Sequence, residues 1–335
     1  MTALLDIQPL PFPGSPFSGE SGNGFFLRMA ERNGLELHEF FTLLHRYSRC
    51  QLQAKDAPIL ARLFDCRVTE LESLFVTSAY DKQCVQRFDF HGHLVTRLYL
   101  FDLQHPKVCP HCLADFGYAR AEWDLGLFLW CPIHQSALID RCPSCGCRLD
   151  WFRPGVSTCV CRHGLDKVMS GVDMPWGVKV MAVLLSRFND GPKLSQLRFP
   201  PEFGAVLSVL ASLSIDGAMR LIWILGVESG RKGDLANARR RREISAAASI
   251  IDTGFTHLRT LILQASVRPG NDPSISPSKL LINALRRMCD DGATAGDRRL
   301  AQTCIEVILP SRSKRKRRSS DAGNNQLPLL FEDQQ

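Results

Sequence analysis

Cys109, Cys112, Cys131 and His134 form one set of paired thiol and imidazole side chains, and a second set follows at once, most simply Cys142, Cys145, Cys159 and Cys161. A tight turn between ligands two or three residues apart aims both side chains at one point. Soft sulfur and nitrogen donors in fours suit a tetrahedral zinc ion. Such a segment is too short to stand on a hydrophobic core, and each ion would supply on the order of 10 kcal/mol of folding energy in its place.

In the first set Cys109-Pro110-His111-Cys112 is one knuckle and Cys131-Pro132-Ile133-His134 the other, with eighteen residues between them. Trp123, Leu125, Leu127 and Trp130 in that interval are expected to cover the site, and His111 is expected at the surface. In the second set Gly146 follows Cys145, which suits the left-handed backbone of a zinc knuckle. Its last two places are less determined: Cys159, Cys161 and His163 compete for them and Cys147 is a further candidate, Cys159 and Cys161 being preferred and His163 the main substitute. Both sets can fill four protein positions, whereas a catalytic zinc keeps one open for water, so two structural Zn2+ ions are expected.

Thirteen cysteines in 335 residues could mark a disulfide scaffold, but eight lie between Cys109 and Cys161, which points to metal binding in a reducing compartment. Cys50, Cys66, Cys84, Cys289 and Cys304 read as small buried hydrophobes. The amino terminus has no basic start leading into an apolar stretch, and no run approaches the roughly 18 apolar residues that cross a bilayer, so a cytoplasmic protein without a membrane partner is expected. Of the net charge of +7, six come from Arg312, Lys314, Arg315, Lys316, Arg317 and Arg318, leaving +1 elsewhere. Charge alone therefore does not mark a nucleic-acid-binding body.

The chain reads as mainly α. An extended arm (1–20) rich in proline precedes an N-terminal helical region with helix-turn-helix proportions (21–105), tandem zinc modules with short β-knuckles (106–165), a C-terminal helical domain (166–309) and a disordered basic tail (310–335). Phe25, Phe26, Met29 and Ala30 form one stripe, and Leu37, Phe40, Phe41 and Leu44 form another beyond Gly34. Ile59, Leu60 and Leu63 precede a break at 65–68, after which Thr69 is expected to cap a helix carrying Leu71, Leu74 and Phe75. Further helices are expected over 174–188, 201–213, 218–225, 244–265 and 278–288, with Asp216-Gly217 as one of the breaks. Arg239 to Arg242 read as a solvated helix start. No phosphate loop, nucleophile elbow or paired-histidine zinc motif is present, and Asp81, Asp89, Asp102 and Asp124 read as solvated charges, so no catalytic residue is assigned.

The ordered combination is specific. Glu20-Ser21, Phe25, Arg28-Met29-Ala30 and Asn33-Gly34 come after a proline-rich opening. The Cys-Pro-His-Cys-Leu from Cys109, Trp123, the Cys-Pro-Ile-His from Cys131, Leu138, and the stretch from Cys142 to Leu149 follow. Over roughly its first half the chain thus resembles the TniQ/TnsD family, the target-selection proteins of Tn7-like and related transposons. The resemblance implies a non-catalytic adaptor that recognises target DNA, or in some members a target-bound CRISPR effector, and recruits an AAA+ ATPase and transposase. It also allows a homodimer and a further helix-turn-helix-like element in the C-terminal half. The alternative is a zinc-containing DNA-binding transcription regulator.

Overall fold

Ser21 starts the folded body: its backbone is extended and its hydroxyl accepts from the Gly24 amide at 3.4 Å, opening helix α1 (Gly22–Arg32), which Asn33 and left-handed Gly34 close. The computed structural model that shows this describes residues 8–36, Glu39, 54–80, 86–167, 172–189, 203–228, 243–266 and 279–309. Phe25, Phe26, Met29 and Ala30 are all buried, as their spacing predicts. The stripe from Leu37 to Leu44 lies outside the described residues, as do Arg239 to Arg242 and the tail from residue 310.

Helices α2 (Ala57–Phe64) and α3 (Val68–Glu72) are joined by Asp65, Cys66 and Arg67, with Asp65 left-handed. The helix boundary differs from expectation. Arg67, not Thr69, caps α3, because the Glu70 carboxylate accepts from the Arg67 amide at 3.3 Å and starts the helix two residues earlier. Phe64 meets Phe25 edge-on at 5.2 Å and Phe75 stacks on Phe26 at 5.8 Å, so the three helices share one aromatic core.

An antiparallel sheet that the sequence reading did not anticipate follows: β1 (Thr77–Tyr80), β2 (Gln86–Phe90) and β3 (His93–Val95), in that order. Its cue is faint, since only Phe88, Phe90 and Val95 point inward. The two-residue connection His91-Gly92 has positive φ at both positions, the geometry that matches the twist of a tight hairpin. Helix α4 (Pro110–Phe116) and the short hairpin β4 (Trp130–Cys131) and β5 (Ser136–Ala137) belong to the metal-ligand region described below.

The chain divides into two units, Met1–Leu197 with Asn237–Ala248, and Arg198–Ala236 with Ser249–Gln335. The first ends in α5 (Trp176–Leu185), whose residues 180–185 are all buried and which packs on β4. The second contains α6 (Gly204–Ala211), α7 (Ile215–Glu228), the greater part of α8 (Ile244–Ser266), α9 (Lys279–Asp291) and α10 (Ala295–Ile308). Asp216 and Gly217, expected as a break, lie instead in the first turn of α7. Ser214 accepts there from the Gly217 amide at 2.9 Å and initiates the helix. Helix α10 is an addition to the expected set. Among the scattered cysteines, Cys304 is buried and burial pushes its thiol up to about 12, whereas Cys66 and Cys289 are only half-buried. Among the described residues no helix is long and apolar enough to cross a membrane.

Candidate metal centres

Cys109 occupies the N-cap of α4 with Pro110 at the first helical position, so Cys109 and Cys112 lie three residues apart on the opening turn and face one way. The second pair comes from a hairpin. Trp130 pairs with Ala137 and Cys131 with Ser136, and the turn between them, with Gln135 left-handed, carries His134 back toward Cys131. Reciprocal hydrogen bonds of 2.9 Å between Val108 and Ile139 hold helix and hairpin together.

These four residues bring one donor atom each within 4.8 Å of one another. Cys112 Sγ stands 3.6 Å from Cys131 Sγ, and His134 Nδ1 stands 3.6, 3.2 and 3.5 Å from the sulfurs of Cys109, Cys112 and Cys131. A tetrahedral zinc with Zn–S of about 2.3 Å and Zn–N of about 2.0 Å would space its ligands roughly 3.8 Å apart for sulfur pairs and roughly 3.5 Å for sulfur and nitrogen. The donor set fits such an ion. His134 Nε2 is 2.8 Å from the Asp115 carboxylate, which fixes the tautomer with Nδ1 as the free donor.

Cys142, Cys145, Cys159 and Cys161 also fall within 4.8 Å of one another, with Cys142 to Cys161 at 3.7 Å and Cys145 to Cys159 at 3.8 Å. Gly146 is left-handed, as its place after Cys145 requires, and its amide donates to the Cys142 carbonyl at 2.9 Å. The other knuckle turns through left-handed Arg162, and the Cys159 amide donates to the His163 carbonyl at 3.0 Å. His163 and Cys147 stay outside the cluster. His111 is half-buried beside His134, ring centres 5.5 Å apart, and is not among the four donors. Trp123, Leu125, Leu127 and Trp130 are all buried.

Two of the acids read as solvated are not. Asp102 and Asp124 are 1 % and 4 % exposed. Ser21 Oγ donates to Asp124 Oδ2 at 2.8 Å, and the Asp102 amide donates to the Asp124 carbonyl at 2.7 Å. Burial raises the Asp124 carboxyl to about 7 against the opposing hydrogen bond from Ser21 and the nearby charge of Lys107. Next to this pair, Glu20 is buried and receives Arg28 through two bonds of 2.7 and 2.8 Å. Nothing in the local sequence distinguishes these acids from surface ones, because their burial comes from α1 packing against residues a hundred positions away.

The ends of α1 are hydrogen-bonded to the segments that carry the two clusters. The Ser21 amide donates to Ala119 O at 2.8 Å beside the first cluster, and Glu31 accepts from the Val156 amide at 3.0 Å beside the second. A search of curated proteins found no match. A comparison with protein families did: residues 11–138, which run from the N-terminal arm through α1 and the first cluster to Leu138, match TniQ. Through that stretch the chain is similar to the TniQ family.

Proposed function

We propose that this chain is a non-catalytic target-selection adaptor for DNA transposition, which engages target DNA or a target-bound CRISPR effector and recruits an AAA+ ATPase and transposase. The observation that carries this reading is the TniQ match over residues 11–138. Both clusters hold structural Zn2+, with Cys109, Cys112, Cys131 and His134 as one ligand set and Cys142, Cys145, Cys159 and Cys161 as the other. Zinc here supplies folding energy. It fixes the fold of the two modules in which α1 is seated, and it activates no water.

The pair α2 and α3 has the three-residue turn of a helix-turn-helix, but the charge on its second helix argues for a protein partner. Exposed Thr69, Glu72 and Ser73 surround a Glu70 engaged by Arg67, so this face carries acid where phosphate would need a cation. Contact with a basic protein surface suits it better.

The test is to tag the chain in its source cells, purify it gently with and without nuclease, and identify what accompanies it. Recovery of an ATPase with transposase subunits supports the adaptor, and an RNA-guided effector beside them fixes the route. Recovery of promoter DNA without either replaces the adaptor with the zinc-containing regulator.

A further inference from the structure

The two clusters share a donor chemistry but differ in exposure. Cys109, Cys112 and Cys131 are 0, 0 and 1 % exposed, and the remaining donor of that cluster is the half-buried His134 ring, an imidazole with no sulfur to oxidise. In the second cluster the donors alternate: Cys142 and Cys159 are buried, whereas Cys145 and Cys161 are exposed. Both knuckle tips stand open to solvent, since residues 143–147 and 160–162 are exposed throughout. The susceptibility of a cysteine to oxidation follows its thiolate character and its exposure, and metal ligation already supplies the thiolate.

Cys145 and Cys161 are also near enough to react with one another. Their sulfurs lie within 4.8 Å on two separate knuckles, so a disulfide of about 2.05 Å between them asks for a closing movement of at most about 3 Å. Cys147 is a further exposed thiol on the same surface and lies outside the four donors. The first of these knuckles is tied to helix α8. Arg141 donates to the Gly146 carbonyl at 3.3 Å and to Glu243 Oε1 at 2.9 Å, while Asp140 accepts from the Ile244 amide at 3.2 Å. Ile244 opens α8, and residues 244–248 belong to the first unit together with the cluster. The start of that helix is therefore anchored on the backbone that Cys142 and Cys145 hold in place.

A peroxide supplies the chemistry that such a pair can undergo. The Cys145 thiolate attacks one oxygen of hydrogen peroxide and becomes a sulfenic acid as the O–O bond breaks and hydroxide leaves. The Cys161 thiolate then attacks that sulfur, forming the S–S bond and expelling a second hydroxide. Two protons from solvent turn the hydroxides into water, so the thiolates lose two electrons and the peroxide is reduced to two waters. Only Cys142 and Cys159 then remain as thiolates, and two ligands do not retain a structural zinc that takes four.

We infer that the second cluster is an oxidation site of this chain, at which a peroxide converts Cys145 and Cys161 to a disulfide, releases the zinc and frees the start of α8. This goes beyond target selection and rests on the zinc assignment to Cys142, Cys145, Cys159 and Cys161. The first cluster, with its three sulfurs buried, is the internal comparison.

Full-length wild type, reduced and freed of excess reductant, is analysed for zinc and then exposed to hydrogen peroxide beside a chromophoric zinc indicator. The reduced protein should carry two zinc ions per chain, and peroxide should release one at least about tenfold faster than the other. Differential alkylation with peptide mass spectrometry should find a disulfide between Cys145 and Cys161 while Cys109, Cys112 and Cys131 stay reduced. Hydrogen exchange at the amides of residues 244–248 should rise on oxidation. Cys147→Ser should respond as wild type does, because that thiol takes no part. Release of both ions at one rate, a disulfide joining other cysteines, protection by Cys147→Ser or unchanged exchange at 244–248 would each overturn the inference. Fewer than two zinc ions in the reduced protein removes the zinc assignment and this inference together, whereas two ions that survive peroxide remove this inference alone.

Discussion

Replacing Asp124 by asparagine should remove a pH dependence that the fold builds into its first unit. The carboxyl is buried, takes one hydrogen bond from Ser21, and faces Lys107, which favours ionisation, and Asp102 and Glu122, which oppose it. Desolvation wins and raises it from 3.8 to about 7. A carboxyl whose folded-state pKa lies above its unfolded value binds its proton more tightly in the native state. Its stabilising contribution is then complete below about pH 4 and is lost as pH rises through about 7. Three pH units at about 1.4 kcal/mol each amount to roughly 4 kcal/mol over the whole window, of which nearly 3 kcal/mol falls above pH 5. Tryptophan fluorescence is the natural probe, because Trp123, Trp130, Trp151 and Trp176 belong to the first unit and only Trp223 to the second. Denaturant titrations of wild type and Asp124→Asn at pH 5, 7 and 8.5 should diverge, with the variant gaining on wild type as pH rises. Parallel stability profiles for the two proteins would refute the reasoning, since every other titrating group is common to both.

Three further outcomes follow from the same geometry. Cys131→Ser should leave the first cluster without its ion and locally unfolded, so metal analysis of the purified protein should give one zinc per chain where wild type gives two; two in the variant would reject the ligand assignment. Asp115→Ala removes the carboxylate that orients His134 and should weaken metal retention at the first cluster by about 10- to 100-fold in a chelator competition, leaving the second cluster unchanged. Gly24→Ala would ordinarily favour a helix by about 1 kcal/mol, but its new methyl would sit 2.6 Å from Ala119 Cβ, so it should destabilise the first unit by about 1–3 kcal/mol. The double variant Gly24→Ala/Ala119→Gly should recover most of that loss, and failure to recover it would place the cost elsewhere.

The parts of this fold that were legible in the sequence are those whose cause is local. Cys109 and Cys112 are brought together by one helical turn, Cys142 and Cys145 by a knuckle that Gly146 closes, and the stripe of α1 by its own period. What escaped depends on partners far along the chain. Asp124 looks like any surface acid until Ser21, 103 positions earlier, is placed against it. Asp216-Gly217 looks like a turn until Ser214 and Asp297 are seen to convert it into a helix start. The β1–β3 sheet shows only three inward side chains, too few for a period to emerge.

The same distinction bears on how the protein divides its labour. Helix α1 is tied at its start by the Ser21 amide to the Ala119 carbonyl and at its end by Glu31, which accepts from the Val156 amide, and its interior carries the aromatic core with α2 and α3. A metal module can fold with little core of its own because thiolate ligation replaces burial, so evolution is free to spend the exposed surface of these segments on recognition. In the second unit helices α7, α9 and α10 bury Arg220, Asp216 and Asp297 in their packing. Buried ions of that kind contribute little net stability but fix geometry, and an unpaired buried charge is costly enough to exclude alternative packings. Asp297→Ala leaves the Ser214 amide and hydroxyl and the Thr294 amide without their acceptor and should therefore lower the second unit's resistance to denaturant by about 1–3 kcal/mol, and an unchanged denaturant midpoint would mean that the carboxylate does not hold these helices together.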